Sequence, residues 1–168
     1  MEKKKKKDNK ERLAIIVSAF PGCGKTTLFE NIKKKYGDKV LISDSDSSKF
    51  DKSDFPQNYI EWISDNINNY DIILVSSHKE VRDELENRGI NFDIYYPSKD
   101  RRMEFILNYV RRGNNFSFIQ KIDSNFDNWI DEIENDESEF IHKHKLEGET
   151  FLENDILINN FINSIATK

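Results

Sequence analysis

Leu13-Ala14-Ile15-Ile16-Val17-Ser18-Ala19-Phe20-Pro21-Gly22-Cys23-Gly24-Lys25-Thr26-Thr27 is the stretch that decides the architecture of this chain. Leu13 to Val17 is a short unbroken apolar run, the pattern of a strand buried on both faces of a parallel sheet. A turn containing Pro21, Gly22 and Gly24 follows it. Thr27 to Tyr36 then carries Leu28 and Ile32 at i, i+4 and a Lys-rich last turn stopped by Gly37, which reads as a helix. The unit is therefore strand, glycine loop, helix.

From Ala19 to Thr26 the loop matches G-x-x-x-x-G-K-[ST] at every fixed position except the first glycine. Gly22 and Gly24 allow the backbone to wrap closely and aim successive N–H groups at phosphate oxygens, and the positive end of the helix adds to them. Pro21, Gly22, Cys23, Gly24, Lys25, Thr26 and Thr27 are thus expected to cradle the phosphates of ATP or a similar nucleoside triphosphate. Lys25 supplies a mobile cation to the β and γ phosphates, and the Thr26 hydroxyl is the expected Mg²⁺ ligand. A plain strand-to-helix turn would not require Lys-Thr-Thr at this point. Cys23 reads as a small loop residue rather than a nucleophile, because no paired His is evident.

Working outward, Lys39 to Ile42 is a second strand that gives way to the polar run Ser43 to Ser48. Pro56 to Asn69 has Tyr59, Ile60, Ile63 and Ile67 on one helical face, and Asp71 to Val75 is a buried third strand. A helix from His78 to Arg88 presents Val81 and Leu85, and a fourth strand runs from Phe92 to Tyr96. Two helices follow: Asp100 to Arg112 with Met103, Ile106, Leu107 and Val110 inward, and Asn115 to Glu134 with Ile119, Ile122, Phe126, Trp129, Ile130 and Ile133 inward. Glu139 to Leu146 is a weaker fifth strand, and Phe151 to Ile165 a last helix. The alternation predicts an α/β fold, a three-layer arrangement around a parallel five-stranded sheet. Ligands bind beyond the carboxyl ends of such strands, at Phe20 to Thr27, Asp44 to Ser48, Ser76 to His78 and from Pro97 onward.

A chain of 168 residues suits one domain, here 12–168. The net charge of −5 argues against coating nucleic acid, so no stable nucleic-acid complex is expected. Lys3 to Lys7 fall in a segment, 1–11, expected to be a flexible basic tail without an assigned role. A lone cysteine fits a reducing compartment, and no apolar run approaches the ~20 residues needed to span a bilayer. These features point to the cytoplasm.

The loop, the chain length and the strand-helix alternation resemble the nucleotide and small-molecule kinases of the P-loop superfamily, which include the nucleoside monophosphate kinases. The vocabulary rich in Lys, Asn, Ile and Asp looks like that of phage deoxynucleoside monophosphate kinases. The resemblance implies transfer of the ATP γ-phosphoryl group to a (deoxy)nucleoside monophosphate, and a helical lid at about 98–136. Arg101, Arg102, Arg111 and Arg112 are the lid cations it suggests; Arg111-Arg112-Gly113-Asn114 looks like a lid end. Arg101, Arg111 and Arg112 would act in catalysis, and Arg102 on the acceptor. On a continuous helix Arg101 and Arg112 share the face opposite Met103, Ile106 and Val110.

Asp44 and Asp46 follow the second strand, where the acceptor is expected. A carboxylate there would orient a hydroxyl acceptor or take its proton, whereas a monophosphate acceptor is already ionised. Capping of the next turn is the competing role for both. The third strand ends in Ser76-Ser77-His78 rather than in the usual Asp, so a Ser hydroxyl has to fill the outer-shell role at the metal. His78 either caps the next helix or contacts the acceptor. Phe50, Phe55, Tyr59 and Trp62 lie in the acceptor segment, with core packing the commoner role for each. His142 and His144 lack zinc-ligand spacing. Two other functions stay open: a kinase of a hydroxyl acceptor (nucleoside, small metabolite or polynucleotide end), and a nucleotide-sensing protein without catalysis.

Overall fold

β1 (Ile15–Ala19) occupies the middle of the sheet because both its faces are covered and both its edges are paired. On one side it runs parallel to β3 (Ile72–Ser76) from Ile15↔Ile72 to Ala19↔Ser76, and on the other to β4 (Phe92–Pro97) from Val17↔Asp93 to Ala19↔Tyr95. β2 (Ile42–Asp44) joins beyond β3 and β5 (Ile141–Leu146) beyond β4, giving a five-stranded all-parallel sheet of order β2-β3-β1-β4-β5. Among the described residues six helices flank it: α1 (Lys25–Tyr36), α2 (Gln57–Asn66), α3 (Lys79–Asn87), α4 (Arg102–Arg111), α5 (Phe116–Glu134) and α6 (Ile156–Ala166). This computed structural model describes residues 13–168, so the basic tail expected at 1–11 lies outside the described residues. Among the described residues no helix is long and apolar enough to cross a membrane.

The expected α/β architecture is present, with local shifts that have physical causes. β1 begins and ends two residues later than the apolar run because Ser18, though polar, is fully buried and donates its hydroxyl hydrogen to the Ser76 carbonyl oxygen at 3.1 Å. A satisfied hydroxyl costs little inside a sheet. The final helix is split: Leu152–Asn154 is a single 3-10 turn, and α6 starts afresh where Asp155 caps it, accepting from the Ile158 N–H at 2.9 Å.

α4 reverses the expected orientation. Met103 and Val110 are 68% and 55% exposed, while Phe105 and Tyr109 are buried. The helix carries two apolar stripes, and the aromatic one removes more area from water, so it wins the core. Arg101, in the 3-10 turn before the helix, is buried, whereas Arg112, the C-cap residue of α4, is exposed. Residues 98–136, expected as a lid, are packed onto the body: Phe105 meets Phe126 of α5 at a 6.1 Å ring separation, and both meet Phe20 beside the glycine loop.

Candidate functional site

β1 delivers the chain into a loop whose shape is set by two glycines. Gly22 has φ +88° and Gly24 φ +99°, a region that L side chains rarely adopt. Gly22 is also crowded: a Cβ there would lie 2.9 Å from Tyr109 Cε1 and 3.2 Å from Phe105 Cδ1. The loop is fastened at several points. Phe20 N–H donates to the Tyr95 carbonyl at 2.9 Å, Cys23 N–H to Phe20 at 3.1 Å, and Leu152 N–H to the Cys23 carbonyl at 3.0 Å. The Tyr109 hydroxyl donates to the Pro21 carbonyl.

Gly24 is the N-cap of α1 and has no side chain to cap it. The first intrahelical donor is Leu28 N–H to the Gly24 carbonyl at 2.9 Å, so the N–H groups of Lys25, Thr26 and Thr27 precede the ladder. No acidic residue sits in that first turn. Those three donors and the helix dipole make an anion cradle. The cavity over it, about 340 Å³, is lined by Gly22, Gly24, Lys25, Thr26, Thr27 and Arg112, with Phe20 and Cys23 beneath.

Lys25 Nζ reaches the Val75 carbonyl at 3.4 Å. Burial lowers its pKa, and the carboxylates of Asp44 and Asp46 oppose that shift. The ammonium therefore lies at the carboxyl end of β3, beside the glycine loop. Cys23 is buried, and desolvation pushes its thiol up to about 12 despite Arg101, Lys25 and Arg112 nearby. It is a packing residue, as expected.

The four arginines separate. Arg112 lines the cradle, and Arg111 lines the adjoining groove with Gly24, Thr27, Asn108 and Phe151. Arg101 is 4% exposed and fully engaged: it forks onto Glu104 with two 2.9 Å bonds, donates to the carbonyls of Leu146 at 3.2 Å and Thr150 at 2.6 Å, and lies over the rings of Phe105 and Phe151. With its donors spent on its own chain, Arg101 pins the segment behind the loop and does not act as a lid cation. Arg102, expected at the acceptor, pairs instead with Asp123 of α5 at 2.8 Å and lines neither the cradle nor the cavities beside it. Glu104 is a local i,i+3 partner, whereas Asp123 and the carbonyls of Leu146 and Thr150 are brought to these arginines only by how α4 packs.

A second cavity of about 290 Å³ adjoins Lys25 and opens along the carboxyl ends of β1 and β3. Ser47, Ser76, Ser77 and His78 line it, so three of the four expected strand-end segments do converge. Ser76 is 8% exposed, and its Oγ has no hydrogen-bond partner among the described residues. Its backbone N–H donates to the Tyr59 hydroxyl at 3.3 Å, and that hydroxyl donates to the Ser45 carbonyl at 2.9 Å. Tyr59 is thus a buried strut between the ends of β2 and β3, with Phe50 and Phe55 packed on its ring. His78 is exposed at the start of α3 and makes no cap through its side chain.

Asp44 and Asp46 part company here. Asp46 Oδ1 accepts from Ser48 N–H at 2.9 Å and Ser48 Oγ at 2.7 Å, the cap of a short 3-10 turn, and these bonds hold its carboxyl below the usual range. Asp44, the last residue of β2 and half-buried, makes no hydrogen bond or ion pair through its side chain among the described residues.

Two residues of this cavity escaped the sequence reading. Trp129 of α5 forms a wall, its ring 6.3 Å from Phe20, where periodicity suggested core. Arg82 of α3 is 3% exposed; its Nε donates to the Ser77 carbonyl at 3.1 Å, and its amino groups face Glu132 at 3.7 Å and Asp136 at 3.6 Å. Its one sequence signal was a charged residue beside Val81 on the inward stripe. His144, by contrast, bonds Asp93 at 2.7 Å and stacks on Tyr95, a structural role. Among the described residues no group of three or more His, Cys, Asp or Glu could hold a metal by itself. Thr26, exposed on the cradle's rim, fits Mg²⁺ held jointly with phosphate oxygens. No protein-family model matches the chain, and no curated protein matches it significantly.

Proposed function

We propose that this chain is an ATP-dependent phosphotransferase, moving the γ-phosphoryl group from the cradle to a small acceptor in the cavity beside Lys25. The observation that carries the reading is the uncapped first turn of α1, opened by left-handed Gly24, with Lys25 and Arg112 bordering the same cavity. The N–H groups of Lys25 to Thr27 bind phosphate oxygens, Lys25 spans the donor and acceptor sides, and Arg112 offsets charge that builds up in transfer. Mg²⁺ on Thr26 and the phosphates would withdraw charge from the leaving diphosphate. Arg111 and Phe151 border the groove toward which the nucleoside extends.

The family resemblance favours a (deoxy)nucleoside monophosphate as acceptor; a hydroxyl acceptor uses the same donor chemistry. A sensor without catalysis gains support from Ser76, which stands where the usual acidic residue is missing. Coupled ADP release across a panel of acceptors tests the proposal, with abolition in Lys25→Ala as its control. ATP binding without transfer to any acceptor would leave only the sensor.

A further inference from the structure

The cavity at the carboxyl ends of β1 and β3 presents three polar side chains with unspent hydrogen-bonding capacity, those of Arg82, Glu132 and Ser76, around an aromatic wall. We infer that it recognises a nucleobase-like heterocycle: the ring packs on Trp129, and the Arg82–Glu132 pair, running from α3 to α5, reads its polar edge. That this ring belongs to the acceptor rests on the phosphotransferase reading; that it binds here does not.

The aromatic residues between 50 and 62 are engaged elsewhere. Phe50 and Phe55 pack on the Tyr59 ring, Trp62 lies 6.2 Å from the Tyr70 ring, and none of these lines the cavity. Its aromatic carbon surface comes instead from Phe20, which is 1% exposed, and from Trp129, which is only half-buried. A flat ring entering beside Lys25 therefore meets the indole.

Arg82 is 3% exposed, and among the described residues only its Nε is hydrogen-bonded, to the Ser77 carbonyl at 3.1 Å. Its amino groups stand 3.7 Å from Glu132 and 3.6 Å from Asp136, close enough for charge attraction but too far for hydrogen bonds. A buried guanidinium ordinarily fills its donors. Arg82 lines the cavity instead, with N–H groups left for a ligand. Glu132 lines it too, and its carboxylate accepts no hydrogen bond among the described residues. A donor thus stands beside an acceptor.

That juxtaposition narrows the ligand. An oxyanion drawn to Arg82 would be pressed against the Glu132 carboxylate and lose much of its gain. A purely apolar ring would strip water from both groups and pair neither. A heterocycle with a lone pair beside an N–H satisfies both at once, and every nucleobase carries such an edge. The Ser76 Oγ, 8% exposed by residue and without a partner, lines the same cavity and can donate or accept as the ring requires. Because each base orders its donors and acceptors differently, this wall discriminates among them.

Trp129 itself reports occupancy. The full chain carrying Trp62→Phe keeps Trp129 as its one tryptophan, and is titrated by fluorescence with and without Mg²⁺ and a non-hydrolysable ATP analogue. The probes are the common nucleosides and their 5′-monophosphates, with ribose 5-phosphate and inorganic phosphate as ringless controls. At least one base should quench Trp129 with an affinity about tenfold or more above the other bases and above ribose 5-phosphate. Glu132→Gln keeps the shape but replaces an acceptor with a donor, and should weaken the preferred base about tenfold and change the order of preference. A role confined to holding Arg82 would shift the melting temperature and leave that order unchanged. Equal quenching by ribose 5-phosphate or inorganic phosphate overturns the ring in favour of an oxyanion. Bases bound without preference, or an unaltered order in Glu132→Gln, overturn the edge recognition, and no quenching by any base overturns the whole. Coupled ADP release bears on phosphoryl transfer alone: quenching without transfer leaves ring recognition standing while the phosphotransferase reading fails, and transfer without quenching does the reverse.

Discussion

The Tyr109 hydroxyl donates to the Pro21 carbonyl, so a helix expected from sequence to belong to a lid holds the glycine loop in place. Beside it, the Tyr109 and Phe105 rings close off the space where any Gly22 side chain would go. Gly22→Ala combines that clash with an unfavourable φ and should weaken ATP binding at least tenfold, with a stability loss on the order of 1–3 kcal/mol. Tyr109→Phe removes one hydrogen bond and should cost about 1 kcal/mol. Calorimetric titration and thermal melts check both, and a Gly22→Ala protein with native affinity would show that the loop does not need this geometry.

Arg101 and Arg112 flank α4, one buried and one exposed, and should fail in different ways. Arg101→Ala strands Glu104 and two carbonyls behind the loop, and should destabilise the fold by about 3 kcal/mol or more. Arg112→Ala should leave the melting temperature within about 2 °C of native, yet lower transfer by roughly 10²–10³-fold if it meets the migrating charge. Chemical denaturation paired with single-turnover kinetics distinguishes the two. The assignment collapses should the phenotypes be exchanged.

Glu86 gives the fold a pH dependence. Burial, with a contact to Asp136 that forms a bond only when a proton is shared, pushes its carboxyl up to about 7, helped by Asp83 and opposed by Arg82. A carboxyl whose folded pKa is raised binds its proton more tightly in the native state than in the unfolded chain. Its favourable contribution is complete below the unfolded value near 4.5 and is lost as pH rises toward 7. Glu86→Gln should therefore be more stable than the native chain at pH 8, by on the order of 1–2 kcal/mol, and should flatten the stability profile between pH 5 and 7. Urea melts across that range would show no such flattening if the proton is not shared.

Cys23 should be silent toward thiol reagents. Its sulfur is buried and faces the Tyr95 carbonyl at 3.9 Å, with burial pushing the thiol up to about 12. Alkylation at pH 8 should proceed at least 100-fold more slowly in the native protein than in guanidinium. Rapid native labelling would mean that the loop opens readily.

The sequence revealed the sheet and the cradle for the same reason: both are written in local patterns. Continuous apolar runs announce buried parallel strands, and Gly22-Cys23-Gly24-Lys25-Thr26 specifies a backbone shape almost by itself. The inward face of α4 is not legible in the sequence because the helix offers two apolar stripes, and only the tertiary contest between Phe105/Tyr109 and Met103/Val110 decides which is buried. That choice in turn sent Arg101 inward and Arg102 to Asp123. Arg82 and Trp129 were missed because they are brought to the cavity by packing between α3, α5 and the strand ends. No spacing along the chain encodes that meeting.

The bond from Leu152 N–H to the Cys23 carbonyl ties the cradle to a segment that follows all five strands in the chain. A nascent chain that has emerged only as far as α5 already contains every loop residue, yet lacks this clasp and the Thr150 carbonyl that anchors Arg101. If the loop binds a triphosphate as proposed, that binding would depend on residues 150–152 being in place and not on the loop residues alone.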